Sequence, residues 1–111
     1  MPATEEDDAR ERYVRAVLDA YLATPGVHRH VRRADRELAH RLFDQAVRLH
    51  VVDTAFLLAA FRRERHNPFS TPLPSIRSLH YFLPVIREVM ERPLGYREIA
   101  ALRDGLGLNL R

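Results

Sequence analysis

H-V-V-D-T-A-F-L-L-A-A-F-R-R, residues 50–63, is the stretch on which the fold turns. Between Val51 and Phe61 only Asp53 and Thr54 are polar, so a helix here leaves no wide face for water. A helix that is apolar nearly all round is a central one. The pattern therefore predicts a helix 3 enclosed by helices 1, 2 and 4, with Val52, Ala55, Phe56 and Ala59 spread over more than one contact face. Its apolar run, residues 55–61, is far below the ~20 residues of a membrane span. Arg62, Arg63 and Arg65 follow, where cations suit the negative end of a helix dipole.

Upstream, residues 4–23 read as helix 1. Thr4 can cap it with Asp7 three positions on, and Val14, Val17, Leu18, Tyr21 and Leu22 form one apolar stripe. Thr24-Pro25-Gly26 ends it. A basic connector, V-H-R-H-V-R-R-A at 27–34, leads into helix 2 at about 34–45, with Leu38, Ala39, Leu42 and Phe43 inward. The apolar phase shifts at 47–50, which marks a turn. Downstream, H-N-P-F-S-T-P-L-P-S at 66–75 holds three prolines and is a loop.

Ser75 is then expected to cap a helix 4 whose seam is Ile76, Leu79, Leu83, Ile86 and Met90, bent by Pro84. Phe82 should join Val85 and Val89 toward the interior. A short helix 5 at about 96–104 carries Ile99 and Leu102 inward before Gly105 and Gly107. No stretch alternates with period two, and no repeat of 20 to 50 residues is visible. The fold class is all-α, a single-domain bundle of four to five helices. Residues 1–8 form the acidic start of helix 1, and 9–111 the helical domain.

The 111 residues are 46% hydrophobic and 30% charged, the composition of one ordinary globular domain. With no cysteine, disulfides, thiolate metal sites and cysteine nucleophiles are excluded. An acidic N-terminus without an apolar h-region predicts no secretory signal, hence a cytoplasmic, soluble domain. All 18 basic residues are Arg. Residues 1–8 carry four acids and no base, which leaves 18 Arg against 11 acids over 9–111. An acidic tail before a basic body suits a polyanion-binding surface, and equally plain solubility.

Catalytic and metal constellations are sparse. His28 and His30 form H-x-H, and Glu37 with His40 forms E-x-x-H, but di-iron bundles need two such units and two more inward glutamates. None of Ser70, Ser75 and Ser78 lies in G-x-S-x-G, and P-loop, G-x-G-x-x-G and H-E-x-x-H patterns are absent. Most acids stand within a turn of an arginine, as Asp35 beside Arg36 and Glu88 before Arg92, in the manner of solvated helix faces. The reading is non-enzymatic, with no cofactor, metal or catalytic residue.

The arginines remain. Arg29, Arg32, Arg33 and Arg36 lie where the connector enters helix 2, and a helix N-terminus with guanidiniums beside it suits a phosphate. Arg62, Arg63 and Arg65 are a second cluster, and Arg77 a third candidate. Each can equally be a solvated side chain lying over apolar surface. Tyr81 either keeps its hydroxyl at the boundary or offers a stacking face to a base.

A-D-R-E-L-A at 34–39, V-R-L-H-V-V-D-T-A-F-L-L-A-A at 47–60 and P-L-P-S-I-R-S-L-H-Y-F at 72–82 together resemble a small helical module of bacterial mobile elements. They are also similar to the helical domains of DnaD-type replication-initiation and primosome proteins, over roughly residues 13–91. The resemblance implies a nucleic-acid-associated accessory domain of a replication or mobile-element system, with no catalytic residues. The expected partners are nucleic acid, DNA ahead of RNA, and a replication or recombination protein, without membrane contact and with oligomerisation left open. The alternative is a helical protein–protein interaction module, self-association included, with an apolar patch around Phe69 and Leu73.

Overall fold

A computed structural model describes residues 4–66 and 71–108. Five α-helices and one 3-10 turn are present among them, with no strand beyond a single isolated bridge. The chain is all-α.

Helix α1 (Glu5–Ala23) starts as its sequence dictates. The Asp7 N–H donates to Thr4 Oγ1 at 3.0 Å and the Thr4 N–H donates back to Asp7 Oδ2 at 3.3 Å. Val14, Val17, Leu18 and Tyr21 are buried along the expected stripe, with Tyr13 added. Gly26, at φ +90°, turns the chain away. A Cβ there would meet Arg63 Nε at 3.0 Å, so the arginine also needs the glycine.

Helix α2 (Arg33–Asp44) buries Leu38, Ala39, Leu42 and also Asp35. The turn after it passes through Ala46 at φ +57° and buries Val47, whose carbonyl accepts the Tyr13 hydroxyl at 2.6 Å. That hydroxyl is pushed up to about 12 by burial, with Asp53 adding to the shift.

Helix α3 (Leu49–Glu64) buries Val52, Ala55, Phe56, Ala59 and Ala60, and the Thr54 hydroxyl is spent on the His50 carbonyl at 2.7 Å. Its main neighbours are α1, helix α4 (Leu83–Glu91) and helix α5 (Tyr96–Gly105), rather than helices 1, 2 and 4. Helix α5 takes the side that the sequence reading gave to α2, while α2 packs on α1. The close approach of α5 is set by Gly105, where a Cβ would lie 2.6 Å from Phe61 Cε2.

The largest departure lies at residues 75–84. Ser75 caps nothing, and Ile76 is extended. The Ile76 N–H donates to the Gly26 carbonyl at 2.8 Å, and the Ile76 carbonyl accepts the His28 N–H at 2.7 Å. Ser78 caps instead, accepting the His80 N–H at 3.1 Å at the start of a 3-10 turn (Leu79–Phe82). Pro84 then falls in the first turn of α4, where its missing N–H costs nothing, so it opens a helix rather than bending one. Ile76 and Leu79 are still buried, because the extended path carries them inward as well as a helix would. Met90 faces out and Val89 takes its place; Val85 is only half-buried. At the centre, Phe82 meets Phe56 at 4.8 Å and Tyr21 at 6.1 Å between ring centroids.

Candidate functional site

Asp35 organises the region where the connector enters α2. It is 1% exposed. One carboxylate oxygen accepts the Arg32 N–H at 2.9 Å, and the other reaches across the fold to the Leu79 N–H at 2.8 Å. Asp35 is therefore not part of a solvated face with Arg36. Standing three positions into α2, it takes the N-cap N–H and puts a buried carboxylate against the positive end of the helix dipole, so a phosphate here would depend chiefly on the guanidiniums.

The same bonds place Arg77. The bridge between Val27 and Ile76 lays residues 76–77 against the connector, and the Asp35–Leu79 bond fixes the next turn to α2. Arg77 thus stands at the flank of the connector that carries Arg29 and Arg32. Arg29, Arg32 and Arg77 are exposed, with no side-chain hydrogen bond or ion pair among the described residues. Arg33 pairs with Glu37 at 3.3 Å, one turn on, yet remains 93% exposed. Arg36 lines a groove of about 490 Å³ between α1 and α2 whose walls mix Asp7, Glu11 and Asp19 with Arg10 and Arg15. That mixed lining sets Arg36 apart from the other four.

The second cluster is otherwise engaged. Arg62 grips Glu88 of α4 through two bonds of 2.9 and 2.5 Å. That contact raises the Arg62 guanidinium pKa and holds the Glu88 carboxyl below its ordinary value. Arg63 donates to the Pro74 carbonyl at 2.8 Å and lies 5.9 Å from the Tyr81 ring centroid. Arg65 sits over the Phe61 ring at 4.8 Å.

Two of the histidines face guanidiniums. His40 Nδ1 is 3.3 Å from Arg10 Nη1, and Arg10 also pairs with Asp44 and lies 4.8 Å from the centroid of Phe43. His80 Nε2 is 3.3 Å from Arg41 Nη2. His28 and His30 stand with ring centroids 6.3 Å apart, and among the described residues no three His, Asp or Glu side chains are gathered as a metal site would need. No described helix is long and apolar enough to cross a membrane. Phe69 lies outside the described residues, while Leu73 is exposed.

Sequence reasoning missed Asp35 as the organising residue and the contact of Arg41 with His80. Only the one-turn spacing from Arg32 to Asp35, a helix-start signal, could have pointed to the first. Searches against protein-family models, curated proteins and solved structures each return no match for this chain.

Proposed function

We propose that the chain is a non-catalytic nucleic-acid-binding module that holds phosphates through Arg29, Arg32, Arg33 and Arg77. One observation carries this reading: the only acid of the connector and the α2 entrance, Asp35, is turned into the core, while Arg29, Arg32 and Arg77 stay in solvent without a side-chain partner among the described residues. An arginine with no internal acceptor keeps its full donor fork for a phosphate. Arg36 contributes less because of the mixed charges lining its groove, and Arg62, Arg63 and Arg65 act first within the fold. The likeness of residues 34–39, 47–60 and 72–82 to replication and mobile-element modules supports an accessory role in such a system in the cytoplasm, on DNA ahead of RNA.

The test is an anisotropy titration against single- and double-stranded DNA and RNA at about 50 and 200 mM salt. Arg29→Glu with Arg77→Glu should weaken binding by a similar factor across sequences. It should also flatten the salt slope by about one per lost contact. A double reversal that binds as tightly as the parent would overturn the proposal. It would favour a protein-interaction surface instead, for which the 88% exposure of Tyr96, with Met90 also exposed, is the supporting observation.

A further inference from the structure

Tyr81 is exposed over 46% of its surface, yet it is held. Its neighbour Phe82 is fully buried and meets it nearly edge-on, with ring centroids 5.1 Å apart and planes at 77°. Adjacent residues on one short turn cannot both face inward, so burying Phe82 leaves Tyr81 outside. Arg63 lies over one face of the ring and restrains it there, which leaves the opposite face for a ligand. Its guanidinium is fixed by the Pro74 carbonyl at 2.8 Å and by the close backbone of Gly26, and lies 5.9 Å from the Tyr81 centroid.

Tyr81 lines a groove of about 370 Å³ together with Arg62, Arg63, His66 and Leu73. No acid is among the described residues that line it. Two arginines, a histidine, a restrained aromatic ring and apolar walls are the parts from which single-strand sites are built: a π-face for the base, and cations and N–H donors for the backbone. Arg63 also joins this groove to the α2 entrance, since it touches both the connector at Gly26 and the segment leading to Arg77.

We infer that this groove takes an unpaired nucleobase stacked on Tyr81, its flanking phosphates running past His66 on one side and toward Arg77 and Arg29 on the other. The inference rests on the phosphate-binding reading above and narrows its ligand to single-stranded nucleic acid. Bases inside a duplex are stacked and paired and offer no face to Tyr81.

The experiment compares labelled oligothymidine, oligouridine and a duplex of equal length, for the parent, Tyr81→Ala, Tyr81→Leu, Tyr81→Phe and the Arg29→Glu/Arg77→Glu pair. Tyr81→Ala should weaken the single strands roughly 5- to 150-fold, the span of one lost base stack, and the duplex less than about twofold. Tyr81→Leu keeps apolar bulk over Phe82 without a π-face and should show the same loss, which carries the test if the alanine variant fails to fold. Tyr81→Phe should recover what Tyr81→Ala loses. The ratio of thymidine to uridine affinity reports whether DNA or RNA is the better strand. Arginine reversal that weakens every probe while Tyr81→Ala and Tyr81→Leu bind single strands like the parent overturns the stacking site alone. A parent that binds none of the three probes overturns the phosphate reading with it.

Discussion

Two arginine clusters that look alike in sequence meet opposite fates in the fold. Residues 29–36 and 62–65 each hold several arginines beside a helix end. At the first, Arg29 and Arg32 have no side-chain partner among the described residues, since Asp35 is taken inward by the Arg32 and Leu79 backbone N–H groups and Glu37 pairs with Arg33. At the second, Glu88, the Pro74 carbonyl and the Phe61 and Tyr81 rings occupy Arg62, Arg63 and Arg65. Arginine density says little about ligand binding; what remains unpaired after folding says more. The first cluster is a surface offered to solvent, and the second a set of struts with a groove between them.

Both regions hang on one aromatic centre, so the largest effect comes from removing it. Phe56 is buried against Tyr21 and Phe82, at 6.4 and 4.8 Å between centroids. Phe56→Ala should cost about 3–5 kcal/mol by urea denaturation, because the truncated ring leaves a cavity between three elements. A loss below about 1 kcal/mol would mean that the two clusters do not share this core.

A smaller effect separates the regions. Asp35→Ala leaves the Leu79 N–H without its acceptor and should cost about 2–3 kcal/mol. Asp35→Asn keeps one acceptor oxygen but turns its NH2 toward the other N–H donor, so it should restore only one of the two bonds. Either change unpins the segment that carries Arg77, so amide exchange should rise at residues 76–79 before it rises in α3. Uniform acceleration across both would show that Asp35 is not a local staple.

The helices themselves were legible. Thr4 with Asp7, the α1 stripe and the all-round hydrophobicity of residues 51–61 are local signals that tertiary structure had no reason to override. Residues 76–82 were not legible. Their apolar spacing fits a helix, but the backbone N–H groups of Ile76 and Leu79 go to Gly26 and Asp35, partners far away in sequence. The side chains reach the core either way, so periodicity alone could not choose. The candidate site was half visible: Arg29, Arg32, Arg33 and Arg77 could be named from the sequence as exposed arginines. That Asp35 turns inward, that Glu88 claims Arg62, and that Arg63 links Gly26 to Tyr81 depend on contacts that no local pattern encodes.

The smallest effect tests the engaged cluster directly, through pH. Glu88 is held below its ordinary pKa by its hydrogen bonds to Arg62, with Arg92 adding to the field. A carboxylate whose folded pKa is depressed stabilises the fold above its unfolded value and loses that contribution as pH falls through the folded one. The Arg62–Glu88 pair should therefore support the fold at pH 7 and fade below about 4.5, the ordinary value. Both side chains are about half exposed, so water and salt screen the pair and its worth is small. Glu88→Gln should lower Tm by no more than ~3 °C at neutral pH, and by nothing measurable once the parent's own carboxylate is protonated. The same substitution frees the Arg62 guanidinium at the edge of the Tyr81 groove. If the pair is a strut beside a binding groove, Glu88→Gln should leave single-strand affinity equal or tighter while the fold weakens slightly. Weaker binding in a variant that melts like the parent would mean that Glu88 orients Arg62 for the ligand, and the division between surface and strut would have to be redrawn.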